Sequence, residues 1–261
     1  MALKDISDWK SDEKGVWMLN TRFLTMQRVL ALVLGMTALS GLALSEPGKY
    51  VVQDPRPLAV VTRYLAERHG QRIGYEEAAY QPEGISTRTI AFTVPANDAM
   101  PAATTSAGLT PLSWGDLSRI IDDYASQVTT VKFGVFQGEE GDTFYVAPSY
   151  FTNGRGQFER FTPILDARIT VKPGQRTVLQ AVVDLCAALQ EATGYRVDPG
   201  TVPINLLRQN STTLGADRET GRHYLYGLLR SLPLPVSWEL FFSPALNKFA
   251  LNLYILPTGT R

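Results

Sequence analysis

The chain has 261 residues with 25 basic and 25 acidic side chains, so no net field draws it to nucleic acid or to anionic lipid. At 44% hydrophobic and 19% charged it can fill a core, which excludes wholesale disorder. The single cysteine, Cys186, excludes an intrachain disulfide and a CxxC motif, and two histidines, His69 and His223, leave little for a His-rich metal site.

The first element is the apolar run 29–44, VLALVLGMTALSGLAL, which follows Arg22 and Arg28. A positive flank, an apolar core and the small residues Ala43 and Ser45 before Glu46 predict a leader plus signal peptide over residues 1–45. The mature chain then begins near Glu46 and is exported to the periplasm. The run is shorter than the about 20 residues of a spanning helix, and an uncleaved signal anchor holding the rest outside the cytoplasm is the alternative. No cysteine follows it, which excludes a lipid-modified N-terminus. The polar leader Met1 to Trp17 reads as an over-extended start with Met18 as initiator.

From Lys49 the pattern predicts an α+β protein in which one order of elements occurs twice. Residues 49–53 read as a strand, Asp54 and Pro57 as a helix start, and Leu58, Val61, Tyr64 and Leu65 as its buried face. Gly70 stops the helix, residues 72–75 return as a strand, and residues 89–94 form a third. Residues 95–111, rich in Ala, Thr and Pro, read as a mobile loop. Ser113 with Asp116 forms a capping box for a helix buried through Leu117, Ile120, Ile121 and Tyr124. A hairpin over 130–147, turning at 138–141, and a further turn at 153–156 complete a first module, residues 46–162.

The second module, residues 163–261, starts with a strand at 168–172. Thr177 caps a helix carrying Val178, Val182, Leu185, Cys186 and Leu189 on one face. Residues 195–198 return after Gly194, and 199–218 read as irregular apart from a short element at 204–207. A helix over 222–232 and strands at 237–242 and 249–256 finish the chain, with Phe249, Leu251, Leu253 and Ile255 on one face. The halves align: His69-Gly70-Gln71-Arg72-Ile73 falls over Thr193-Gly194-Tyr195-Arg196-Val197, and Ile120-Ile121 over Leu228-Leu229. The expected architecture is two tandem β-α-β…α-β-β modules, each a small mixed sheet packed against two helices.

Those pieces resemble the secretin and TonB N-terminal short domain (STN), here as two divergent copies. The residues carrying the resemblance are Pro55-Arg56-Pro57-Leu58, Leu65-Ala66, His69-Gly70 and Ile73 to Tyr75 in the first half. In the second they are Pro173-Gly174-Gln175, Thr193-Gly194-Tyr195, Leu225, Leu228-Leu229 and the hairpin around Trp238, so the match covers about two thirds of the chain. The long loop, the extra residues 150–161 and Pro233-Leu234-Pro235 depart from the pattern. The resemblance implies a small α+β module that pairs with other proteins of the bacterial envelope.

Catalytic alternatives are weighed against that. Asp122-Asp123 and Glu139-Glu140 are adjacent carboxylates, but helix neighbours point about 100° apart and the glutamates lie in a turn, so solvated faces explain both. His69 suits a helix C-terminus, and Cys186 a buried stripe. No GxSxG, HExxH or Walker sequence occurs, and no catalytic, cofactor or metal residue is assigned. The candidate interface is Tyr150, Phe151, Arg155, Phe158, Arg160 and Phe161, aromatic and arginine side chains around one turn. The exposed final strand is a second place for a partner strand to pair. Together these predict an exported, non-catalytic adaptor with envelope protein partners, no cofactor, and membrane contact only through an uncleaved N-terminus. The alternatives are a homo-oligomeric pilus or secretion subunit, and a hydrolase using Asp122, Glu139 and Asp166 between the modules.

Overall fold

The computed structural model describes residues 42–43, 48–79, 87–94, 111–138, 143–153 and 155–258. Nearly all of the N-terminal apolar run, the mobile-loop expectation for 95–110 and the Glu139-Glu140 turn lie outside them. The described residues belong to one compact unit, Gly41–Arg261.

The elements are β1 (Leu42–Ala43), β2 (Lys49–Asp54), α1 (Pro57–His69), β3 (Ile73–Glu76), β4 (Arg88–Thr93), α2 (Trp114–Gln127), β5 (Val131–Gln137), β6 (Phe144–Thr152) and β7 (Phe158–Arg160). They continue as β8 (Arg168–Val171), β9 (Arg176–Thr177), α3 (Val178–Thr193), β10 (Arg196–Pro199), α4 (Ile204–Gln209) and β11 (Ser211–Thr212). The chain closes with β12 (Ala216–Thr220), α5 (Gly221–Arg230), β13 (Val236–Ser243) and β14 (Lys248–Ile255).

Local chemistry sets the helix ends. Ser113 accepts from the Asp116 N–H at 3.2 Å while the Asp116 carboxylate takes the Ser113 N–H at 3.0 Å, closing the capping box on α2. Ser113→Ala is therefore expected to lower stability by about 1 kcal/mol, read as a shifted urea midpoint at unchanged slope. Thr177 caps α3 and Thr220 caps α5 in the same manner. Helices α1 and α3 both stop at a glycine in the left-handed region, Gly70 at φ 59° and Gly194 at φ 76°. Asp54 does not cap α1: its carboxylate accepts from the Arg56 N–H two residues on, and the helix begins on Pro57 without a side-chain cap. Proline supplies the missing donor's excuse, having no N–H to satisfy.

One mixed sheet of seven strands, in the order β10-β14-β13-β3-β6-β5 with β7 on the end of β6, joins the halves of the chain. The joint is the parallel pair β3–β13, Tyr75 opposite Glu239 and Glu76 opposite Leu240. Smaller antiparallel ladders join β2 to β4 and β8 to β12. Strand β12 lies in the stretch read as irregular. Its burial is polar almost throughout, and a register shift at Arg218, whose φ is +56°, breaks any alternation. The final strand is not an edge: β14 is bonded to β13 on one side and to β10 on the other, so it has no free ladder for a partner.

Two cores lie on opposite faces of this sheet. Helices α1 and α2 bury Leu58, Val61, Leu65, Leu117 and Ile120 with Ile73 and Tyr75 of β3. Helices α3 and α5 bury Leu185, Leu189, Leu225 and Leu228 with Val236, Trp238, Leu240 and Phe242 of β13. Phe241 and Tyr254, from the second half, pack on the first core, because successive strand side chains alternate between faces. Cys186 is buried in the second core, and burial, with Asp198 adding, pushes its thiol up to about 12, where no thiolate forms at neutral pH.

Candidate functional site

The predicted interface residues divide by strand parity. Lys132, Tyr150 and Arg160 sit side by side across β5, β6 and β7, with Thr152 opposite Phe158 in the adjoining row. Tyr150 and Phe158 are exposed at 43% and 49%, and Lys132 Nζ stands 4.3 Å from the Phe158 ring centre. Arg155 and Arg160 are exposed as well. Phe151 and Phe161 turn the other way, pack on the first core and meet edge to face at 6.4 Å. They are support for the face, not part of it. Lys132, which sequence reasoning passed over, completes a basic and aromatic patch of Lys132, Tyr150, Phe158 and Arg160.

The charged chemistry is concentrated elsewhere, at the β3–β13 joint. Glu76 is wholly buried; it accepts from Arg222 Nη2 at 2.8 Å and from the Leu165 N–H at 3.2 Å. Arg222, itself 5% exposed, also gives Nε to Asp166 at 2.8 Å and lies between Tyr145, 3.9 Å from its ring centre, and Trp238, 5.4 Å away. On the opposite face Glu77 takes Arg56 Nε on both oxygens at 3.1 Å and accepts from the Phe242 N–H at 2.8 Å. Glu239 pairs with Arg63 through Nε and Nη2. Arg56 and Arg63 in turn stack over Phe241 and Tyr254. Three glutamates in or beside a two-pair ladder are thus each tied to an arginine from another element.

Burial pushes the carboxyls of Glu76, Glu77 and Glu239 above the ordinary range, opposed in each case by the paired arginine. A carboxyl with a raised folded value holds its proton more tightly in the folded state. Its contribution is therefore greatest at or below the ordinary glutamate value of about 4.3 and declines as pH rises through the raised value. Comparing wild type with Glu239→Gln by denaturant melts at pH 7 and pH 5, the difference should move in favour of wild type at the lower pH. A move in the opposite direction would show that the Arg63 pairing, and not burial, dominates.

A cavity of about 360 Å³ adjoins this cluster, lined by Tyr145, Asp166, Arg222, His223, Tyr226 and Arg230 among others. Burial, with smaller opposing effects from Arg222 and Trp238, pushes the Tyr226 phenol up to about 12, so it stays a neutral donor. Asp166 faces this cavity bonded to Arg222, while Asp122 is exposed on α2. Glu139 lies outside the described residues. Among the described residues no group of three or more His, Cys, Asp and Glu side chains converges to hold a metal, and no helix is long and apolar enough to cross a membrane.

No family model, no curated protein and no solved structure matches this chain. What the molecule does has to be argued from its own surfaces. Glu76, Glu77 and Glu239 each serve an ion pair in the joint, a geometry suited to holding strands together. The signal in the sequence for that joint was a charge inside an apolar strand, Glu239 within Val236–Phe242, which demands a paired cation.

Proposed function

We propose that the chain is an exported, non-catalytic protein-interaction module of the bacterial cell envelope, built from two tandem, divergent STN-like units. The observation that carries the interaction reading is the outward face of β5–β6–β7, where Tyr150, Phe158, Lys132 and Arg160 present aromatic and cationic groups beside the last strand of the sheet. The tandem reading is supported by register. Ile73 pairs with Phe144 and Tyr75 with Val146, as Val197 pairs with Phe249 and Pro199 with Leu251. Val146 pairs with Val135 as Leu251 pairs with Leu240. The glycine stops at Gly70 and Gly194 stand three residues before the matched Ile73 and Val197, and β2–β4 matches β8–β12. Export rests on the apolar run behind Arg22 and Arg28.

The partners are envelope proteins, and the function is to hold them in an assembly. The test is affinity capture from envelope fractions of the native host with wild type and with Phe158→Ala/Arg160→Ala. Wild type should recover one or more envelope proteins in stoichiometric amount, and the double variant should lose them at least about tenfold, the scale of a removed hot-spot residue. Equal recovery by both proteins, or none by wild type, sinks the reading. Sequencing the N-terminus of the purified native protein checks export: a start near Glu46 is expected.

A further inference from the structure

The interaction reading does not say which edge of the sheet takes a partner, or in which direction. Two strands end the main path, β10 and β5. β10 is a poor template: Pro199 has no N–H to give, and Asp198 beside it is tied to Lys248 and Arg196. β5 has no proline, and its one charged residue is Lys132. The Phe144 N–H donates to the Arg72 carbonyl on the β3 side, so alternation turns the backbone groups of Tyr145 and Ala147 toward β5 and those of Val146 away from it. Val135, opposite Val146, therefore directs its own N–H and carbonyl outward, to the side that no described strand covers.

Elsewhere in the same sheet that situation is already filled. β13 occupies in its hairpin the place β5 occupies in the other, with Leu240 opposite Leu251 where Val135 is opposite Val146. The outward side of β13 is covered by β3 running parallel, and the Glu77 N–H donates to the Leu240 carbonyl at 2.9 Å. We infer that the β5 edge receives a parallel β-strand from a partner protein, centred on Val135 as β3 is centred on Leu240. This inference rests on the interaction reading and gives it a site, a direction and a register.

The occupant's chemistry follows from the surroundings. In the β3 register the residue three before the one facing Val135 lies opposite Lys132, whose neighbours across the strands are Tyr150 and Arg160. An extended segment that is acidic at its N-terminal end and apolar or aromatic after it complements that edge. A second copy of this chain does not. Where β3 offers Ile73 and then Tyr75-Glu76-Glu77, the matched residues are Val197, which brings no acid to Lys132, and Pro199-Gly200-Thr201, which lose one donor at Pro199, while the Thr201 N–H is already given to Asn252.

The probe is a synthetic peptide of residues Gln71–Ala79, together with the same peptide carrying Ile73→Glu, titrated into the whole isotope-labelled protein and followed by amide NMR. Both should shift the Val135 amide and slow its exchange, the acidic peptide binding more tightly. N-methylation of the peptide's Glu77 amide, which would donate to the Val135 carbonyl, should weaken binding by about tenfold or more. Val135→Pro should do the same while leaving the bonds to β6 in place, and Val135→Thr should not. Lys132→Gln should abolish the preference for the acidic peptide. Binding that ignores N-methylation, with shifts confined to Tyr150 and Phe158, would overturn the edge assignment while leaving the interaction reading intact. No binding by either peptide would overturn it too, whereas capture of envelope proteins tests the interaction reading separately.

Discussion

Arg222→Ala is expected to destabilise the protein by about 3–5 kcal/mol, the cost of leaving a buried carboxylate without its cation. Glu76 is 0% exposed, and its carboxylate is held by Arg222 and the Leu165 N–H. Without the guanidinium the residue either unfolds the joint or takes up a proton. Arg222 also fills the space between Tyr145 and Trp238, so the loss includes packing. Lysine does not replace it, because one ammonium cannot serve Glu76 and Asp166 from separate nitrogens and stack on Tyr145 at once. Glu76→Gln/Arg222→Met, which removes both charges and keeps the volume, should recover much of the loss. Chemical denaturation of wild type, Glu76→Gln, Arg222→Met and the double variant measures the coupling, and additive single effects would show that the pair is not a unit.

The second large effect is at Gly74. A β-carbon there would fall 2.2 Å from two atoms of the Trp238 ring, which is fully buried and has no room to withdraw. Gly74→Ala should therefore cost about 3 kcal/mol, at the upper end of overpacking penalties. Its backbone lies in a strand, so strain at φ is not the cause; the ring is. Combining it with Trp238→Leu should give a total loss smaller than the sum of the two, since the smaller side chain vacates the place the new methyl needs. Thermal melts of the three variants decide it: strict additivity would mean that the contact does not set the spacing between β3 and β13.

Much of this structure is legible in the sequence where a single element decides the outcome. The stripe Leu117, Ile120, Ile121, Tyr124 is buried along α2, and Ser113 and Thr177 cap the helices they precede. Trp238, Leu240 and Phe242 meet Leu253, Leu251 and Phe249 across the last hairpin. What was not legible depends on partners far apart in the chain. Nothing in Ile73-Gly74-Tyr75-Glu76 announces that its neighbour is Glu239-Leu240, so the final strand looked like the exposed edge when β10 covers it. Arg222 looked like the ordinary first turn of a helix, and only the fold brings Glu76 and Asp166 to it. The interface residues were half legible. The turn and its aromatics are plain, but the bulge opposite Lys132 and Phe133 sets which of them face out, and its one trace in the sequence is Pro148 within β6.

The joint also has a consequence for how the polypeptide matures. Glu76 and its cation are separated by 146 positions, and β3 has both edges paired only once β13 is in place. A chain emerging from its N-terminus therefore carries an acid in a nearly finished half until almost the whole of the remainder has followed. Until then Glu76 lacks the guanidinium that neutralises it in the finished fold. Pairing of β3 with β13 is a contact of large sequence separation, slow to form by the standard of helical proteins.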